Sequence, residues 1–218
     1  MRKKISGVLL VFLTAAFLLA ADESKNPEGC GSLLPNGDFS EYDGSKSISH
    51  GGRASAVRFW TAYFFPDHGG KAFVEDNAYR GKRAVCLEST RPEKTLMWES
   101  EAVSAAPGQK FTLKFAFRIE RLTAGKDWNK PGVMVVFYDA GGKRVAHRDL
   151  MRFGEDTPWK EFTSDFTVPA ERKNIAKMRL GLVMSYCVGK VLFSNLELSA
   201  VPEKKTLGMK PARRSAGD

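Results

Sequence analysis

Residues whose types could support catalysis are few and scattered in this chain. The three histidines are His50, His68 and His147, and the first two begin repeated His-Gly-Gly triplets in loop-like sequence. Chance explains this repeat better than a metal pair, because no His or Cys spacing matches a zinc site. The sequence also lacks a serine nucleophile elbow and a phosphate-binding glycine loop. Carboxylates are common, but a sequence cannot place two of them at the separation a glycosidase needs.

Tryptophans in polar surroundings are more informative. Trp128 lies in the charged and amide-rich run 126–130, with no apolar pattern around it that would carry it into a core. Trp60 and Trp159 lie in or beside apolar strand patterns, so both are predicted to be buried. Trp98 stands between a methionine and a glutamate and could face either way.

The element that organises the chain is the segment 107–120. Apolar residues occupy every second position from 111 to 119, and most positions between them are polar. A period of two predicts a strand with one face in the core and the other near water. The aromatics on one side of this strand need a second sheet packed opposite them. The core-facing residues are Phe111, Leu113, Phe115, Phe117 and Ile119.

The rest of the chain predicts about ten short strands separated by Gly, Pro and Asn. A strand over residues 33–39 is expected to run into an Asn-Gly turn, and residues 41–55 are expected to form a long loop. Residues 143–151 are expected to pair back on 133–139 as a hairpin. No segment has the period of a long helix. The predicted fold is all-β, a two-sheet antiparallel β-sandwich or jelly roll.

The two ends differ from the middle. Residues 1–21 have the charged, apolar and small-residue order of a signal peptide, although an uncleaved anchor is the minority alternative. A short linker is expected over 22–32, one domain over 33–200, and a basic disordered tail over 201–218. We therefore expect a secreted or periplasmic protein with no stable membrane insertion once the signal peptide is cleaved.

The formal charge of +9 overstates the charge of the domain. Residues 31–200 keep 25 of the 34 basic and 20 of the 25 acidic residues, so their formal charge is +5. Export makes nucleic acid the least expected partner for the basic tail. Three cysteines cannot all pair within one chain, and Cys86 and Cys187 are expected to act as small core hydrophobes.

Four segments, in this order, resemble the carbohydrate-binding module families 4, 9 and 22 and the wider galactose-binding-like jelly rolls. Residues 34–39 (Leu-Pro-Asn-Gly-Asp-Phe) are similar to an opening N-x-x-N-G-D-F-E motif. Residues 76–85 are similar to a-x-x-G-x-x-s-l, and 107–115 to p-G-k-x-Y-t-l-s-f. Residues 158–169 are similar to W-x-x-y-x-x-t-f-t-v-p. The resemblance covers about 33–200 and implies a galactose-binding-domain-like jelly roll that binds polysaccharide, with a monomer expected.

Sugar recognition of this kind needs flat aromatic rings and a few polar groups that bond hydroxyls. Trp128 is the first choice for stacking, and Arg118, Glu120 and Arg179 are candidates for hydrogen bonding if their sheet is concave. The remaining carbohydrate-binding candidates are Trp98, Tyr138 and Tyr186. The resemblance also implies a possible structural calcium held by Asp38, Glu41 and Asn195. This chain departs from the family there, with Ser40 replacing a Glu and Ser194–Asn195 replacing an acidic pair.

The sequence thus predicts an exported protein that binds a glycan without altering it. The enzymatic alternative is a jelly-roll polysaccharide lyase, which uses Tyr, His and Arg on an acidic glycan. A second alternative is a structural or adhesion β-sandwich that has the fold and binds no glycan.

Overall fold

The computed structural model describes residues 31–44, 56–64, 67, 69–92, 94–124 and 129–202, together with the main chain of 52–54. The predicted signal peptide, most of the linker and the tail beyond residue 202 lie outside the described residues. Within them the chain forms strands joined by turns, and no α-helix occurs. No described helix is long and apolar enough to cross a membrane.

The described strands, in chain order, form two antiparallel sheets. They are β1 (Gly52–Ala54), β2 (Trp60–Phe64), β3 (Gly70–Tyr79), β4 (Lys82–Ser89), β5 (Thr95–Ser100), β6 (Val103–Ser104), β7 (Lys110–Ala124), β8 (Pro131–Tyr138), β9 (Arg144–Arg152), β10 (Thr157–Thr167), β11 (Lys177–Ser185) and β12 (Cys187–Ala200). The seven-stranded sheet has the order β1-β2-β5-β11-β8-β9, with β6 also pairing with β11. The five-stranded sheet has the order β10-β7-β12-β4-β3. The predicted two-sheet antiparallel sandwich is confirmed.

The alternation in β7 decides which face of the five-stranded sheet enters the core. Phe111, Leu113 and Ile119 are buried against residues of both sheets, while Lys114 is exposed and Arg118 is half-buried. The rings of Phe117 and Phe153 stack with centroids 4.1 Å apart, next to Phe115. The strand predicted over 107–120 therefore lies in the centre of its sheet, with its even-numbered side chains on the outer face.

Residues 33–39 form a turn and not the predicted strand. Asn36 and Phe39 have φ angles of 52° and 57°. Gly37 is required there, because a Cβ atom on it would lie 2.0 Å from the carbonyl oxygen of Leu196. The predicted Asn-Gly turn is thus confirmed, and its glycine allows the chain to approach β12 closely.

Two further sequence predictions are settled. Residues 144–152 pair with β8 as the expected hairpin. Residues 41–55 are not wholly a loop, because β1 pairs with β2 there. Cys86 and Cys187 are both buried and unbonded to each other, as predicted.

Candidate functional site

The predicted site residues lie on two opposite surfaces. Arg118 and Glu120 lie on the outer face of the five-stranded sheet, which we name the Trp159 face. Tyr138 and Arg179 lie on the outer face of the seven-stranded sheet, which we name the Tyr138 face. Because the whole core separates these faces, the predicted residues cannot form one site.

The floor of the Trp159 face is a small apolar cluster separate from the main core. Ala84, Cys86 and Leu192 are fully buried in it, and the half-buried rings of Phe73 and Trp159 pack against them. Phe73 lies on the edge strand β3 and Trp159 on the opposite edge strand β10. An aromatic side chain therefore stands on each side of a floor of small residues.

Four charged side chains form a closed ring above this floor. The Arg118 guanidinium lies 2.7 Å from a carboxylate oxygen of Glu120 and 3.5 Å from one of Glu75. Lys190 Nζ lies 2.7 Å from the other carboxylate oxygen of Glu75 and 4.0 Å from the other carboxylate oxygen of Glu120. These side chains are between 14% and 34% exposed, so they are accessible from solvent yet held in place.

Each cation of the ring also contacts one of the aromatic side chains. The Arg118 guanidinium carbon lies 5.5 Å from the centre of the Trp159 ring, and Lys190 Nζ lies 5.4 Å from that of Phe73. Cation–π attraction favours both arrangements. The ring carries two positive and two negative charges and is neutral as a whole.

The hairpin between β3 and β4 reaches across the Trp159 face. Its two strands lose register between Glu75 and Tyr79, and Ala78 then packs on the apolar floor. The Tyr79 ring lies 5.0 Å from the Trp159 ring, and its hydroxyl donates a 2.7 Å hydrogen bond to Glu161. This bond raises the pKa of the Tyr79 phenol. The hairpin thus joins the two edges of the sheet.

Two donors under this arrangement have no hydrogen-bond partner among the described residues. They are Arg118 Nε and Trp159 Nε1, and both atoms are covered from solvent. An unpaired buried donor is unfavourable and uncommon in folded proteins.

The prediction that Trp159 is a buried core residue is wrong. β10 pairs with β7 so that Phe162 lies opposite Phe115 on the core side, and the odd-numbered side chains of β10 therefore face outward, with the Trp159 ring against Arg118. The signal that could have indicated this was the strand period itself, because Trp159 is an odd number of positions from the core-facing Phe162 and Phe166. The burial predicted for Trp60 is confirmed at 1% exposure.

The Tyr138 face is organised around one buried carboxylate. Glu99 is 7% exposed and accepts hydrogen bonds from the hydroxyls of Tyr138 at 3.2 Å and Tyr63 at 3.3 Å. The Arg179 guanidinium donates to it at 3.2 Å. Burial, followed by the charge of Glu99 and the hydrogen bond to it, raises the pKa of Tyr138. Tyr138 and Arg179 are therefore held together, as members of a cluster that the sequence did not reveal.

Trp98 does not act as a stacking platform. Its side chain is fully buried, and the indole N–H donates a 3.1 Å hydrogen bond to the carbonyl oxygen of Cys86. The alternation of β5 turns Glu99 outward and Trp98 inward. The prediction of a carbohydrate contact at Trp98 is thus wrong.

The remaining aromatic candidates are Tyr186 and Trp128. Tyr186 is 39% exposed in the turn between β11 and β12, with a φ angle of 48°. Trp128 lies outside the described residues. The chain leaves β7 at Ala124, which pairs with Cys187, and returns at Asn129. Ala124, the last described residue before Trp128, thus lies next to the turn that carries Tyr186.

The three side chains expected to bind calcium are engaged with other groups of the protein. Asp38 accepts from the amide and hydroxyl of Ser40, and Glu41 pairs with Arg58 at 2.7 Å. The Asn195 side-chain oxygen accepts from the ammonium group of Lys82. No group of three His, Cys, Asp or Glu among the described residues could hold a metal. Two of the three expected ligands thus each contact a cationic side chain of the protein.

The sequence matches no family model and no curated protein. Solved structures do resemble its fold. One is the enzymatically active domain of tailspike protein 4 from bacteriophage CBA120, with 14% identity, 78% of this chain covered and a TM-score of 0.51. This chain spans 21% of that tailspike chain.

A cyclase from Fischerella sp. TAU, solved with 4-(1H-indol-3-yl)butan-2-one, is 14% identical, with 80% of this chain and 100% of that one covered and a TM-score of 0.51. The CBM22-1 xylan-binding domain of Paenibacillus barcinonensis Xyn10C is 15% identical over 73% of this chain and 94% of that one, with a lower TM-score of 0.45. At such identities the likeness extends to the fold alone.

Proposed function

We propose that this protein is an exported carbohydrate-binding module that holds a glycan on the Trp159 face without altering it. The observation that carries the proposal is the charge ring of Glu75, Arg118, Glu120 and Lys190, flanked by the half-buried rings of Phe73 and Trp159. Half-exposed aromatic rings beside fixed polar groups are what a sugar-binding surface requires.

The two kinds of side chain would have different roles. The apolar side of a pyranose ring packs against Trp159 and Tyr79, whose rings form a tilted pair. Sugar hydroxyls donate to Glu75 and Glu120 and accept from Arg118 and Lys190. Since the four charges balance, the face suits a neutral glycan better than a charged one.

The resemblance of four sequence segments to carbohydrate-binding modules supports the same class of ligand. It includes the segment that begins with Pro158 and Trp159. The resemblance supports a polysaccharide as the class of ligand, and it implies no particular sugar.

Affinity electrophoresis of the full chain in gels containing neutral polysaccharides, such as xylan, mannan and soluble β-glucan, tests this proposal. One of these polymers should retard the chain, and Trp159→Ala should weaken retardation at least tenfold. Tyr138→Ala, on the opposite face, is the matched aromatic control and should bind the neutral polymer as well as the unchanged chain. Equal loss in both variants, with both still folded by thermal melting, would contradict the proposed location.

The two alternatives predict other results. A polysaccharide lyase would release unsaturated, ultraviolet-absorbing products from a polyuronate, and we expect none. A structural or adhesion module would bind no polysaccharide, and its Trp159→Ala variant would change only in stability.

A further inference from the structure

The Tyr138 face carries a second set of polar side chains that the proposed glycan site does not use. Residues that pair across antiparallel strands lie on the same side of a sheet. Tyr138 pairs with Lys177 on one side and with Arg144 on the other, and Lys177 pairs in turn with Ser104. Ser104, Lys177, Tyr138 and Arg144 therefore form one outward-facing row across β6, β11, β8 and β9, which we name the Tyr138 row.

The cations of this row are not neutralised. In the described part of the chain, Arg144 and Lys177 form no ion pair, and both side chains are exposed. His147, also exposed, lies in the next row, where it pairs with Val136 beside Arg179.

Two of the three carboxylates nearest the row are already paired with a cation. Glu99 is bound by Arg179 and the two tyrosine hydroxyls, and Asp149 pairs with Arg152 at 2.8 Å. One carboxylate oxygen of Asp139 accepts the amide of Lys143 at 2.9 Å. Arg144 and Lys177 therefore have no carboxylate partner among the described residues, and an acidic ligand would supply one.

The middle of the row is an aromatic ring fixed in position. The Tyr138 hydroxyl is bonded to the buried Glu99, and the Arg179 guanidinium carbon lies 5.9 Å from the ring centre. Burial and Glu99 keep the Tyr138 phenol protonated by raising its pKa, so the ring adds no negative charge of its own. An aromatic side chain between two cations, each about 4.8 Å away across the sheet, matches a sugar ring that carries a carboxylate.

We propose that the Tyr138 row binds the carboxylate-bearing sugars of an acidic polysaccharide, at a site separate from the Trp159 face. The row is about 14 Å long, the width of three strand spacings. Its two unpaired cations are too few for nucleic acid, whose binding proteins typically neutralise roughly six to ten phosphates. No large exposed apolar side chain lies in the row to enter a membrane, since Tyr186 and Val201 are the ones exposed among the described residues.

Affinity electrophoresis of the full chain in polygalacturonate tests the site. Arg144→Gln/Lys177→Gln should lower the affinity about tenfold, because two exposed charge pairs are lost. The matched control is Lys71→Gln/Lys114→Gln, which removes two exposed cations from the other sheet and should change the affinity less than about twofold. The basic segment after residue 202 is the same in both, so it cannot cause a difference between them. Added salt should weaken the binding.

Each other outcome would overturn the proposal. These are no retardation of the unchanged chain by polygalacturonate, an equal loss in the two double variants, or stronger binding to phosphatidylserine vesicles or duplex DNA than to polygalacturonate. Trp159→Ala separates this site from the proposed neutral-glycan site, because it should leave binding to polygalacturonate intact.

Discussion

The indole N–H of Trp98 on β5 lies 3.1 Å from the carbonyl oxygen of Cys86 on β4, so a hydrogen bond joins the two sheets through the core. Trp98 is fully buried. The bond satisfies the indole donor and connects the two sheets at Cys86. The Cys86 side chain itself packs against side chains of the Trp159 face.

Trp98→Phe should therefore lower the free energy of unfolding by about 1–3 kcal/mol, and Trp98→Ala by about 3–5 kcal/mol. Urea unfolding followed by circular dichroism measures both. Trp159→Phe is the matched control, because the Trp159 indole has no acceptor to lose, and it should cost less than Trp98→Phe. An equal loss for the two Phe variants would mean that the bond between the sheets contributes nothing.

Calcium should not stabilise the protein. Lys82 and Arg58 already engage Asn195 and Glu41, so calcium would have to displace two cations to bind these side chains. The melting temperature should be the same in EDTA and in millimolar calcium. A rise of several degrees with calcium would show a site that the described side chains do not explain.

The two buried cysteines should make stability fall at high pH. Burial raises the pKa of Cys187 to about 11 and raises that of Cys86 further. An unfolded thiol titrates near roughly 8.5, so above that pH the unfolded chain loses protons that the folded chain keeps. Stability is then lost as the pH rises, by up to ~1.4 kcal/mol per pH unit for each thiol.

Urea unfolding between pH 8 and 11 measures this slope. Cys86→Ala/Cys187→Ala should have a flatter profile than the unchanged chain over the same range. Identical slopes would show that these thiols do not remain protonated in the folded state.

Trp128 remains the sequence-based candidate for an additional sugar contact. If the polar segment 125–128 presents its ring to solvent, Trp128→Ala should weaken glycan binding while changing the melting temperature by less than about 2 °C. Tyr186→Ala, in the neighbouring turn, is the comparison variant. A large loss of stability in Trp128→Ala would place this ring in the core.

The sequence was most informative where a side chain's burial follows from strand period alone. The alternation of Phe111, Leu113 and Phe115 predicted both the central strand and its inner face, because side chains at every second position of a strand lie on the same side of the sheet. The Gly37 turn was predictable for a similar reason, since a glycine next to an asparagine favours a turn.

The candidate site was less predictable because it depends on irregular pairing. Trp159 faces outward by the alternation of β10, but a loss of register between β3 and β4 carries Tyr79 across the sheet to meet it. The charge ring joins Glu75, Arg118 and Lys190 from three strands far apart in the sequence. No local pattern contains such pairings, so the sequence named Arg118 and Glu120 without their partners.

The four tryptophans provide the most direct test of glycan binding on the Trp159 face. Each gives one indole N–H signal in a ¹H–¹⁵N correlation spectrum, and single Trp→Phe variants assign them. During titration with an oligosaccharide of the retarding neutral polymer, the Trp159 signal should shift progressively, while those of the buried Trp60 and Trp98 stay in place. Saturable binding that leaves the Trp159 signal unmoved would contradict the proposed site, and no shift with any neutral glycan would contradict the proposed function.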